Sequence, residues 1–94
     1  MAFVRVFDPS GTAVVGHQPL ASRPGCLREI SIGLLDNIKP NSDVFLDRLQ
    51  ELLRERYPGL TFVRAAKRMA GEPVSPADLR SLAGCQAVIN GVGD

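Results

Sequence analysis

Three short segments hold the residue types that do chemistry: Asp36-Asn37-Ile38-Lys39-Pro40-Asn41, Lys67-Arg68, and Asn90-Gly91-Val92-Gly93-Asp94. The first sets a carboxylate, an amide and an ammonium close together, a set able to move a proton or orient a polar ligand. Lys39, just ahead of a helix start, can also hold an anion. Gly91 and Gly93 let backbone amides approach a phosphate, although Gly-x-Gly without a third glycine and a following helix is a weak dinucleotide signature. Each group also has a plainer reading. Asp and Asn side chains bond loop amides readily, and most loop lysines are simply solvated.

The remaining reactive side chains are sparse. Cys26 and Cys85 have no CxxC partner and no neighbouring histidine, and His17 stands alone in a Gly-rich stretch. Two thiols and one imidazole are too few for a structural zinc, so neither a metal nor a cofactor is expected.

The elements that must position these segments follow from periodicity. Residues 30–35, Ile-Ser-Ile-Gly-Leu-Leu, read as a parallel strand buried on both faces. Phe45, Leu49, Leu52 and Leu53 then form an apolar stripe on a helix over 41–57, with Asn41 or Ser42 as cap and Tyr57-Pro58-Gly59 as stop. Residues 60–65 read as a second strand. Ser75-Pro76-Ala77-Asp78 is a capping-box start for a short helix that turns Leu79, Leu82 and Ala83 inward and stops at Gly84. Residues 87–89 form a third buried strand, which Asn90 to Asp94 leave.

The fold class is therefore α/β: a three-layer, partial doubly wound parallel sheet of flavodoxin or Rossmann type, running β-α-β-α-β. Before it, residues 1–29 form an arm in which 3–7 and 12–15 flank an Asp8-Pro9-Ser10-Gly11 turn, with a hairpin as the expectation. Residues 30–94 form an α/β domain that looks incomplete, since three strands and two helices rarely close a core alone. With strands in 2-1-3 order, the loops after strands one and three converge at the carboxyl edge, where ligands bind in open α/β sheets. The expected pocket residues are Asp36, Asn37, Lys39, Asn90, Gly91, Gly93 and Asp94.

Composition narrows the functional classes. Ninety-four residues, 45% hydrophobic and 22% charged with a net charge of +1, describe one domain without the basic excess that nucleic acid requires. No apolar run reaches a membrane span and no signal-peptide layout opens the chain, so a soluble cytoplasmic protein with no membrane partner is the expectation.

Ile32-Gly33-Leu34-Leu35-Asp36-Asn37, Lys39-Pro40-Asn41, Tyr57-Pro58-Gly59 and Gly91-Val92-Gly93-Asp94, together with the opening Phe7-Asp8-Pro9-Ser10-Gly11, resemble the first half of the UGSC family of selenoproteins and their cysteine homologues. In that family the segment matching Gly-Val-Gly-Asp is followed at once by selenocysteine or cysteine and then Gly-Ser-Cys. The resemblance implies a thiol- or selenol-dependent redox family whose nucleophile comes immediately after Asp94, so no catalytic residue is present and the 94-residue chain itself is inactive. Because UGA encodes selenocysteine and is otherwise a stop, a truncated reading of a longer frame is the implied reason.

The substrate class under this reading is a small molecule or a thiol. The alternative is a small non-enzymatic binding or assembly module that homodimerises through an exposed sheet edge. A third reading is an anion-binding domain that uses Lys39 and the Gly91 and Gly93 amides.

Overall fold

The computed structural model describes residues 2–14 and 16–93. Strand β1 (Ser31–Asp36) is central, with β2 (Thr61–Ala66) on one side and β3 (Ala87–Gly91) on the other, all parallel. Helix α1 (Ser42–Arg56) links β1 to β2, and α2 (Pro76–Ala83) links β2 to β3. The order 2-1-3 and the β-α-β-α-β alternation are those read from the sequence.

Alternation along β1 divides the core into two layers of contact. Ile32 and Leu34 face α1 and pack with Leu46 and Leu60, joined by half-buried Leu49, Leu53, Phe62 and Ile89. Leu35 packs on the opposite face with Ala65 and Leu82. Gly33 shares that second face because nothing larger fits: a Cβ there would lie 2.6 Å from Leu82 Cδ2 and 3.2 Å from Val88 Cγ2.

Several local expectations shift. The buried line of α1 is Ser42, Leu46, Leu49 and Leu53 rather than the stripe through Phe45 and Leu52, both of which stay exposed. One residue is about 100° of helix rotation, so Phe45 lies on the flank of the line led by Leu46. In α2 only Leu82 turns inward, while Leu79 and Ala83 face solvent. Eight residues of helix give too few turns for a wider buried face. Its start is as read, with Pro76 in the first turn and Ser75 Oγ accepting from the Asp78 amide at 3.2 Å.

β3 runs on through Asn90 and Gly91, and it is a half-exposed edge rather than a buried strand, because no helix or strand covers its outer side among the described residues. The arm also departs from the expected hairpin. Residues 2–14 and 16–30 contain no strand, and the Asp8 turn closes locally, its Oδ1 accepting from the Ser10 amide at 2.9 Å and from the Ser10 hydroxyl. Those bonds hold the Asp8 carboxyl below the usual carboxylate range, the hydroxyl more than the amide. Extending away from the body, the arm raises the radius of gyration to 19.0 Å, against roughly 12 Å for a compact chain of this length.

Candidate functional site at the carboxyl edge of the sheet

Parallel pairing in register brings the ends of all three strands to one level, with Asp36 opposite Ala66 on one side and Gly91 on the other. Asp36 is the hub. Its backbone oxygen accepts from the Lys67 amide at 3.0 Å, which ties the exit of β2 to the end of β1. Its Oδ1 accepts from the Ile38 amide at 2.7 Å and from the Ser42 hydroxyl at the first residue of α1. A carboxylate beside a helix start is favoured by the positive end of the helix dipole. Asp36 therefore serves the entrance of α1, and Asn41, at the N-cap position, makes no side-chain cap bond.

The chain reverses from β1 into α1 through two left-handed residues, Ile38 at φ 53° and Asn41 at φ 65°. Asparagine tolerates that region. A β-branched isoleucine does not, and such conformations cost on the order of 1–3 kcal/mol each. The Ile38 amide bond to Asp36 and the buried Ser42 hold the turn against that strain.

Asn37 fastens β3. Its amide donates to Gly91 O at 3.0 Å, and its side-chain Nδ2 donates to Val92 O at 3.1 Å. Because a carbonyl only accepts, the atom facing Val92 must be the nitrogen. That leaves Oδ1 buried with no hydrogen-bond partner, in a residue only 5% exposed. Most buried polar atoms are paired, so this oxygen is the anomaly of the site.

Of the expected pocket residues, Asp36, Asn37 and Gly91 come together. Lys39 is half-buried on the same rim, lining with Asp36, Ile38 and Pro40 an open cleft of about 410 Å³. Asn90 does not join them: strand alternation places it on the α2 face, exposed, while Ile89 and Gly91 face α1. Gly91 answers to packing, since a Cβ there would come within 3.1 Å of Leu46 Cδ2. Gly93 has open space around it, and Asp94 lies outside the described residues.

Lys67 and Arg68 sit over a separate cleft at the end of β2, where Lys67 Nζ donates to Ala70 O at 2.7 Å and Arg68 pairs with Glu72 at 3.5 Å. Ser42 and the carbonyl of Val92 were missed from the sequence. The only signal for Ser42 was its place at the helix start, and a backbone carbonyl leaves none.

A comparison with family models matches the UGSC family over residues 5–94. The chain belongs to the UGSC family. The match covers the arm as well as the α/β body, so the described site lies wholly within the family region. Comparisons with curated proteins and with solved structures return no match. Among the described residues of this UGSC chain, no three His, Cys, Asp or Glu side chains gather into a metal-holding group. No helix there is long and apolar enough to cross a membrane. Cys26 is exposed and Cys85 half-buried, both unpaired, with the Cys85 thiol turned to Ser81 O at 3.8 Å.

Proposed function

We propose that the carboxyl edge of this sheet is one wall of a thiol- or selenol-dependent redox site, with the reactive chalcogen supplied by the residue after Asp94. The observation that carries this reading is the double hold of Asn37 on Gly91 and Val92, which fastens the exit of β3 beside the end of β1, next to the rim lined by Asp36 and Lys39. A chalcogen there, entering a further helix, is favoured as its anion by helix-end amides and dipole. Its chemistry is exchange: the anion attacks one sulfur of a disulfide, a mixed bond forms, and the other sulfur leaves as thiolate. A small-molecule or protein disulfide in a reducing cytoplasmic setting suits such a site.

On this reading the wall acts only together with the segment that carries the chalcogen. The test is the nucleotide sequence after the Asp94 codon. TGA followed by in-frame Gly-Ser-Cys codons and an open frame supports the reading, whereas a different stop codon with unrelated sequence beyond it refutes it. Disulfide reductase turnover by the 94-residue chain that survives substitution of both Cys26 and Cys85 also refutes it.

A further inference from the structure

Of the three segments able to do chemistry, Lys67-Arg68 is the one that the redox reading leaves without a task. Both residues leave β2 over a cleft of about 670 Å³, within the range of roughly 300–1,000 Å³ usual for small-molecule sites. The end of β2 is on the side of β1 away from β3, and the walls of the cleft are the loop after β2 and the start of α2. We infer that this cleft binds the zwitterionic headgroup of an α-amino acid, with its carboxylate toward Lys67 and Arg68 and its ammonium toward Glu72 and Asp78.

Charge selects the ligand. Two cations and two carboxylates line the cleft, so neither a plain anion nor a plain cation meets a surplus of the opposite sign. A ligand that carries both charges one carbon apart finds partners for each. The ion pair already in place is loose: Arg68 Nη2 lies 3.5 Å from Glu72 Oε2, with the two side chains 85% and 43% exposed, and such surface pairs are worth little. A headgroup entering between them replaces one weak ion pair with two.

The hydrogen-bonding groups suit that exchange. The Arg68 fork can bind a carboxylate through two parallel N–H groups. Lys67 Nζ gives one N–H to Ala70 O at 2.7 Å and keeps two to donate. Ser75 Oγ accepts from the Asp78 amide, which leaves its own hydrogen to donate. The half-buried Asp78 side chain makes no hydrogen bond or ion pair among the described residues, and an ammonium brings three donors. Pro73, Val74 and Pro76 give the cleft an apolar wall for the ligand's side chain, and Val74 fixes that wall to the body by packing on Leu35, Ala65 and Leu82.

The cleft also adjoins the candidate site. The Lys67 amide is bonded to Asp36 O at 3.0 Å. A smaller cleft of about 350 Å³ shares Asp36 with the Lys39 rim and Ala66 with the headgroup cleft. Narrowing the disulfide substrate to one built from amino acids rests on the redox reading; the headgroup site itself does not.

The experiment is an amide NMR titration of the 94-residue chain with S-methyl-L-cysteine, run beside its methyl ester, which lacks the carboxylate, and its N-acetyl derivative, which lacks the ammonium. Saturable shifts are expected at the amides of residues 66–78, with both derivatives about fivefold weaker or more. Arg68→Gln should bring the parent down to the affinity of the ester, and Glu72→Gln toward that of the N-acetyl derivative, each with unchanged far-ultraviolet circular dichroism. No saturable shift at millimolar ligand overturns the proposal, and so do shifts centred elsewhere in the chain. A derivative that binds as tightly as the parent overturns it too, because the zwitterion is then not what is recognised. The probe holds no disulfide, so each of these failures leaves the redox reading standing, while the nucleotides after the Asp94 codon can refute that reading with the headgroup site intact.

Discussion

Replacing Asn37 with leucine should leave the protein as stable as before or more so, an uncommon result for a residue only 5% exposed. The side chain makes one bond, Nδ2 to Val92 O at 3.1 Å, and leaves Oδ1 buried and unmet. Losing a hydrogen bond of this kind costs about 1 kcal/mol, whereas an unsatisfied buried acceptor carries a penalty of about 1–3 kcal/mol. Val92 is 47% exposed, so its carbonyl can turn to water when the amide is gone. The backbone bond from the Asn37 amide to Gly91 O survives, because leucine keeps the N–H. The balance runs from neutral to about 2 kcal/mol stabilising, and each kcal/mol moves Tm by about 4–8 °C in a domain of this size. The assay is urea and thermal unfolding at one fixed protein concentration, so that any association contributes equally to both chains. Asn37→Asp is the control: it keeps the shape but sets a carboxylate against Val92 O, and burying that charge unpaired should cost about 3 kcal/mol or more. If Asn37→Leu instead loses more than about 1.5 kcal/mol, then Oδ1 has a partner in solution, and the side-chain bond to Val92 is net stabilising.

Two further outcomes test the frame around the site. Gly33→Ala should destabilise by about 1–3 kcal/mol through overpacking, because its Cβ would meet Leu82 Cδ2 at 2.6 Å with Val88 and Cys85 closing the other sides. In urea unfolding much of that loss should vanish in a Leu82→Ala background, and strict additivity of the two changes would disprove the contact. In the arm, the Asp8 carboxyl is held below the usual carboxylate range by the Ser10 hydroxyl and amide, so the turn is fully formed above the unfolded-state pKa and opens as pH falls through the lowered one. The Ser10 amide resonance should follow that acid-side titration while the melting temperature stays unchanged by it. A Ser10 amide indifferent to Asp8 ionisation would remove the turn.

How far the sequence reaches can be judged residue by residue. Ile32 and Leu34 against Leu35 gave a strand buried on both faces, and the 2-1-3 order followed because right-handed crossovers leave few other arrangements. What the sequence could not convey was the angle at which each helix sits. Phe45 and Leu46 are adjacent and both apolar and both approach Gly91, and what separates them is the packing of Leu46 against Ile32, Leu34 and Leu60. The same limit applies at the rim. Asp36 and Asn37 were legible as polar groups at a strand end, but their separate tasks depend on partners far along the chain or hidden in the backbone. Asp36 takes up the hydroxyl of Ser42, and Asn37 takes up the carbonyl of Val92. The Lys39 and Gly91 pair, attractive together as an anion site, separates into a rim lysine and a glycine that makes room for α1. Asn37 Oδ1 therefore stands out more clearly than any motif in the chain. A packed core removes unmet acceptors wherever a leucine would serve as well, and here it has kept one at the point where the exit of β3 is fastened to the end of β1.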